Sequence, residues 1–192
     1  MAIELCGISK AYESTQVLQN VSLRFETGKS YCIMGPSGYG KTTLLHVLMG
    51  LVKADAGEIT GLEGYRLAPV FQENRLCENL SAGANLRMVR PGKATAPELD
   101  AALESLGLPG ALHQPVREMS GGMKRRVAIA RALVSGGNLL VMDEPFKGLD
   151  HETKELVMSH VREQAMGKTM IWVTHDEREA AFMGSEMIHF PL

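Results

Sequence analysis

Apolar and polar positions alternate in two rhythms along this chain, and the switches between them mark its elements. The run Tyr31–Met34 is short, apolar and followed by glycines, the pattern of a buried strand. It feeds a Gly-rich turn and then a helix from about Lys41 to Met49, which Gly50 can cap. Asp55 to Val70 is punctuated by glycines and reads as one or two small antiparallel strands. From about Gln72 the character changes. Ala96–Leu99 and Ala101–Leu106 are helical, with Pro97 near the first turn and Leu99, Ala102, Leu103 and Leu106 on one face. Gly92 and Pro109-Gly110 punctuate that region. A second alternating stretch follows: helix about 122–133, strand Leu139–Met142, helix about 152–165, strand Met170–Thr174. A short helix starts at Asp176-Glu177, where acidic residues suit the positive end of its dipole, and a last strand runs over about Met187–Phe190. Strands alternating with helices predict one α/β sheet domain with helices inserted into it.

Composition narrows the class. The 192 residues, 45% hydrophobic and 22% charged, suffice to bury a core in a single domain and exclude disorder. A net charge of -2 offers no basic field, so no nucleic-acid partner is expected. The longest apolar stretch, Leu44 to Val52, falls well short of the about 18 residues a membrane span needs. Residues 1–10 carry Glu4 and no apolar signal segment. The three cysteines, Cys6, Cys32 and Cys77, are odd in number and scattered, which predicts reduced core thiols in a cytosolic protein and neither a disulfide framework nor a metal site.

Two stretches carry chemistry. Gly35-Pro36-Ser37-Gly38-Tyr39-Gly40-Lys41-Thr42, followed by Thr43, fits G-x-x-x-x-G-K-[ST] and lies between an apolar strand and an apolar helix, as that motif requires. Its glycines let successive N–H groups point at phosphate oxygens, and the helix adds the positive end of its dipole. Lys41 supplies a mobile charge for the β- and γ-phosphates, and the Thr42 hydroxyl can coordinate Mg²⁺. A nucleoside triphosphate is the expected ligand. The second stretch, Leu139-Leu140-Val141-Met142-Asp143-Glu144, reads as a buried strand ending in two carboxylates. Strand alternation sends them to opposite faces. Asp143 is then expected to hold Mg²⁺, and Glu144 to accept a proton from the attacking water.

With these motifs the chain resembles the ATP-binding cassette (ABC) family over nearly its whole length. The run from Met119-Ser120-Gly121-Gly122-Met123 to Arg131-Ala132-Leu133 looks like the family's LSGGQ signature and the helix behind it. The resemblance implies an α/β P-loop NTPase sheet core with a small antiparallel β part and an inserted helical subdomain. The catalytic core would cover about 1–71 and 136–192, and the insertion about 72–135, ending in the signature helix. It implies that Ser120, Gly121, Gly122 and Met123 close over nucleotide held by the opposite subunit of a head-to-tail dimer. It places Gln72 at Mg²⁺ and the attacking water, Asp150 of Gly148-Leu149-Asp150 at the dimer interface, His175 at the γ-phosphate, and Tyr12 against adenine.

Some residues depart from the common pattern. Met119 and Met123 stand where the usual signature has Leu and Gln, and Tyr39 replaces a small residue, so its ring must point out of the cradle. Met123 with Lys124-Arg125-Arg126-Val127, and Val70-Phe71-Gln72-Glu73-Asn74-Arg75-Leu76, look like the nitrate/sulfonate/taurine importer branch. The resemblance therefore implies an ATPase using ATP and Mg²⁺, paired with a second ABC ATPase subunit and with separate permease subunits. An importer would add a solute-binding protein. The permease would hold the chain on the inner face of the cell membrane, gripping it at about Glu73–Arg90. The chain's shortness predicts no regulatory domain. A non-transport ABC ATPase in cell division or envelope remodelling shares every motif and stays open as the alternative. A DNA-repair ABC ATPase fits less well, lacking a basic stripe, and a small P-loop kinase leaves the Ser120 helix and His175 without a task.

Overall fold

The computed structural model describes residues 2–90, 92 and 94–191. Two sheets form the frame. The first is antiparallel, with β1 (Ala2–Tyr12) between β2 (Thr15–Glu26) and β4 (Ala56–Thr60). The second is parallel throughout, in the order β5 (Leu67–Val70), β6 (Leu139–Asp143), β7 (Thr169–Val173), β3 (Ser30–Met34), β8 (Glu186–His189). Every residue of β6 and β7 is buried, as expected for central parallel strands covered on both faces.

The period of two along these strands divides the core. Cys32, Met34, Leu140, Met142, Met170 and Trp172 point to a cluster shared with the inserted helices and α5 (His151–Gln164). Tyr31, Ile33, Leu139, Val141, Ile171 and Val173 point the other way, onto α1 (Lys41–Leu48) and the antiparallel sheet. Between β5 and β6 the chain forms α2 (Ala82–Arg87), α3 (Ala96–Glu104) and α4 (Gly121–Val134); α6 (Glu177–Phe182) joins β7 to β8. A full capping box starts α3: Thr95 Oγ1 accepts from Glu98 N while Glu98 Oε2 accepts from Thr95 N. The α/β expectation, with its small antiparallel part, holds.

Two expectations need correction. Of the span Asp55 to Val70 only β4 is antiparallel; Leu67–Val70 pairs parallel with β6 at the edge of the main sheet. The long helical crossover to β6 permits that direction, and an edge position tolerates Pro69, which has no N–H for a ladder. Asn138 fixes the start of this pairing, its Oδ1 accepting from Arg66 N at 2.7 Å and its N–H donating to Arg66 O at 3.0 Å. Nor are the cysteines all core thiols. Only Cys32 is buried, and burial pushes its thiol up to about 12; Cys6 and Cys77 are exposed.

Phe146, just beyond β6, stacks edge-on against Trp172 of β7 at 5.7 Å between ring centroids, both fully buried. Phe146→Ala should lower the unfolding free energy by about 3–5 kcal/mol, read as a lower urea midpoint at unchanged slope. A loss under about 1 kcal/mol would contradict this packing.

Candidate nucleotide site

Gly35 follows β3 and cannot be replaced without moving backbone: a Cβ there would lie 1.9 Å from Phe190 O, in the segment that leaves β8. Gly40 has φ 90° and precedes α1, and a Cβ on it would sit 2.7 Å from Val17 O of β2. Residues 35–40 are thus wedged between two strands, which sets the loop's curl. Lys41 is buried, and its Nζ donates to Gly35 O at 2.8 Å and Pro36 O at 2.7 Å. Tyr39 is half exposed.

This loop forms one wall of a cavity of about 240 Å³. Ser37, Gly38, Gly40, Lys41, Thr42 and Thr43 line it on that side, Gln72 on another, and Asp143 and Glu144 at the end of β6; Val17 and Val173 add apolar surface. Both carboxylates therefore face the same cavity, a correction to the expectation from strand alternation. The strand stops at Asp143, and Glu144 adopts φ 44°, the left-handed region, which turns its side chain back. That conformation costs a residue with a Cβ about 1–2 kcal/mol. Glu144 N, donating to Val173 O at 2.9 Å, helps to hold it.

The two acids differ electrostatically. Burial raises Asp143 above the usual aspartate range, opposed by the Thr42 hydroxyl, which donates to its Oδ2 at 2.6 Å. Burial also acts to raise Glu144. The ion pair with Lys147 and the nearby His175, whose Nδ1 is 3.4 Å from Glu144 Oε1, outweigh it and bring Glu144 below its ordinary value. His175 is itself largely exposed.

Arg125 of α4, to which no motif gives a role, joins the loop after β5 to the turn after β6. It is 4% exposed. Its guanidinium donates to Pro145 O at 2.8 Å, Asp143 O at 2.7 Å, Glu144 O at 2.6 Å, Phe71 O, and Gln72 O at 3.4 Å. Desolvation lowers its own pKa to about 10, so it stays charged at neutral pH. A signal for it exists in the sequence. Position 125 lies three, four and seven residues before Ala128, Ile129 and Ala132, which are buried on α4, so this cation occupies the helix's inward stripe. Val17 and Lys147 carry no comparable signal.

The remaining site residues lie elsewhere. Ser120 caps α4, its Oγ accepting from Met123 N at 3.3 Å, and neither it nor Gly121, Gly122 or Met123 lines the cavity. A Cβ on Gly122 would come 3.6 Å from Leu149, so the start of α4 lies beside the loop that ends in Asp150. Asp150 caps α5. Tyr12, at the tip of the β1–β2 hairpin opposite Thr15, is 45% exposed and does not line the cavity.

A parallel sheet whose strand β3 runs through such a loop into a helix, with an acidic pair at the end of a strand one removed from it, defines a P-loop nucleotide-binding domain. Residues 18–147 match the family described as ABC transporter, and the chain belongs to that family. It is 38% identical to the spermidine/putrescine import ATP-binding protein PotA of Nitratidesulfovibrio vulgaris, over 97% of this chain and 55% of that protein. It is 36% identical to the taurine import ATP-binding protein TauB of Roseobacter denitrificans, over 92% of this chain and 70% of that protein. The chain thus spans about half the length of the PotA relative. Among solved structures, the dimeric ATP-binding cassette MJ0796 bound to ADP and Pi superposes with a TM-score of 0.87 at 29% identity, covering 97% of this chain and 93% of that one. A bacterial Atm1-family ABC exporter with ATP bound gives 0.85 at 27%, covering 98% and 36%.

Two outcomes test this geometry. Arg125→Met strands several inward-facing carbonyls, each costing about 1–3 kcal/mol, and should destabilise the fold by at least about 3 kcal/mol in a urea titration; Arg125→Lys should recover part of it. Asp143→Asn should raise the melting temperature at neutral pH, because the native state holds this carboxyl above its unfolded pKa. The gain is full above the raised native pKa. It shrinks as pH falls through that value and vanishes below the ordinary aspartate range. A pH-independent difference would contradict the assignment.

Proposed function

We propose that this chain is the ATP-hydrolysing subunit of an ABC transporter of the import type. The observation that carries the reading is a division within the chain. The P-loop, Gln72, Asp143 and Glu144 share one cavity while the Ser120-Gly121-Gly122 helix start, a second ready-made anion cradle, lies outside it. A head-to-tail pair of cassettes joins the P-loop of one copy to the Ser120 cradle of the other, so two nucleotides are held between two copies. The similarity to dimeric cassettes supports that pairing, and the relatives named as import ATP-binding proteins support the direction of transport.

Within each site Gly35 to Lys41 and Thr43 hold the phosphates, with Lys41 neutralising the β- and γ-oxygens. Tyr12 stacks on the base from the hairpin tip. Mg²⁺ suits the Thr42–Asp143 pair, two hard oxygens 2.6 Å apart with Gln72 on the same cavity, because this ion takes few protein ligands and leaves the rest to phosphate and water. Bound there, it would neutralise charge developing on the phosphates. Glu144 accepts the proton of the water that attacks the γ-phosphorus, releasing ADP and phosphate, and His175 steadies the γ-phosphate beside it. Asp150 lies at the pairing surface. The permease docks on Glu73–Arg90, next to a groove lined by Leu67, Phe71, Arg75, Val89 and Arg131. No helix among the described residues is long and apolar enough to cross a membrane. In this reading a separate permease keeps the chain at the inner membrane face, with a solute-binding protein delivering the cargo.

Glu144→Gln should cut ATP turnover by on the order of 10²–10⁴ while leaving binding intact, so that ATP drives a stable dimer on size exclusion. Wild-type turnover in this variant would remove Glu144 as the base. Lys41→Ala should lose nucleotide binding in a titration, and unchanged affinity would sink the cradle assignment.

A further inference from the structure

Glu179 is 5% exposed and lies outside the nucleotide cavity, so none of the roles above uses it. A buried carboxylate needs partners, and those it has are informative. Its Oε2 accepts from Thr174 Oγ1 at 2.6 Å, and its Oε1 pairs with Lys154 Nζ at 2.6 Å. Thr174 is buried and immediately precedes His175; its Oγ1 also accepts from Asp176 N, the residue immediately after, at 3.2 Å. Both peptide neighbours of His175 are thereby tied to one hydroxyl, and that hydroxyl is tied to Glu179. Lys154 sits in the first turn of α5, and its N–H donates to the carbonyl of Asp150, the helix cap, at 2.8 Å.

Beside the ion pair, Leu149, Met158 and Phe182 line a cavity of about 330 Å³, while Val157, Met158 and Val161 of α5 share one buried cluster with Ala180 of α6 and Met183. The far end of α5 has its own link to α6, where Arg162 Nη1 donates to Phe182 O at 3.0 Å. The two helices therefore have ties besides the Lys154–Glu179 pair.

We propose that Lys154 and Glu179 are positioning residues for His175: the ion pair holds the Glu179 carboxylate against Thr174, and Thr174 in turn sets the backbone that carries the imidazole beside Glu144. Lys154 touches neither nucleotide nor water in this scheme. It acts from the first turn of the helix that Asp150 caps, so the loop ending in Asp150 and the loop carrying His175 share one anchor. The kinetic part rests on the hydrolytic role proposed for the chain, whereas the structural part does not.

The test compares the full-length wild type with Lys154→Met, which keeps most of the aliphatic stem, and Lys154→Arg, which restores the charge. Amide hydrogen exchange is read over residues 174–178, and steady-state ATP turnover is read in parallel. Lys154→Met leaves the buried Glu179 carboxylate without its cation and should lower the melting temperature, so the readout is local: exchange at these amides should rise about tenfold while that of β6 stays unchanged. Its kcat should fall on the order of ten- to a hundredfold, with KM for ATP within about twofold of wild type. Lys154→Arg should restore both. Wild-type exchange in Lys154→Met overturns the proposal. So does faster exchange that extends to β6 and that Arg fails to rescue, since that pattern belongs to a purely structural contact. A wild-type chain that does not hydrolyse ATP counts against the hydrolytic role alone. The exchange arm then decides: faster exchange reversed by Arg upholds the positioning claim, and unchanged exchange overturns it.

Discussion

Three segments far apart in the chain meet beside the P-loop, and the buried Arg125 guanidinium of one bonds to the other two. The turn after β6 and the loop after β5 both present carbonyls to it, of which Glu144 O also accepts from Lys147 N at 3.2 Å. A planar cation with five donors is suited to that arrangement, and one side chain satisfies carbonyls from residues 71, 72, 143, 144 and 145. Among the described residues, no carboxylate lies within ion-pair distance of Arg125. The charge is carried by backbone dipoles and by the nearby Asp143 and Glu144.

That constraint has a consequence for the chemistry. Glu144 is held in a left-handed conformation, and the bonds that hold it come from β7 through Val173 and from α4 through Arg125. The same α4 is capped by Ser120, the cradle proposed to meet nucleotide on the opposing copy. A displacement of α4 would reach the Glu144 and Gln72 backbones directly through one guanidinium. The strain at Glu144 and the raised pKa of Asp143 are local costs, offset by packing elsewhere, as is usual where a site must hold reactive groups ready.

Much of this is legible in the sequence, for identifiable reasons. β6 and β7 are continuous apolar runs because the sheet buries both their faces, and the P-loop is a dense motif because Phe190 O and Val17 O leave no room for a Cβ at Gly35 and Gly40. The direction of β5 is not legible. Four residues with one proline carry no periodicity, and only the length of the following crossover decides it. The shared orientation of Asp143 and Glu144 escapes strand alternation because a single positive φ, invisible in residue identity, ends the strand. Exposure of Cys6 and Cys77 escapes composition, since counts say nothing about which face a residue occupies. Arg125 lies between the two cases: its position on the inward stripe of α4 is readable, but its carbonyl partners are set by tertiary structure alone.

The central claim is that nucleotide is bound between two copies, the P-loop of one facing Ser120 of the other. A mixing experiment tests it directly. Lys41→Ala and Ser120→Phe chains, each also carrying Glu144→Gln, are labelled with donor and acceptor dyes and combined with MgATP. The account predicts ATP-dependent energy transfer in the mixture, where one composite site is intact, and no association of either variant with itself. Association of the Ser120→Phe chain with itself at wild-type strength, or a mixture that stays monomeric while the parent Glu144→Gln chain dimerises, would contradict it.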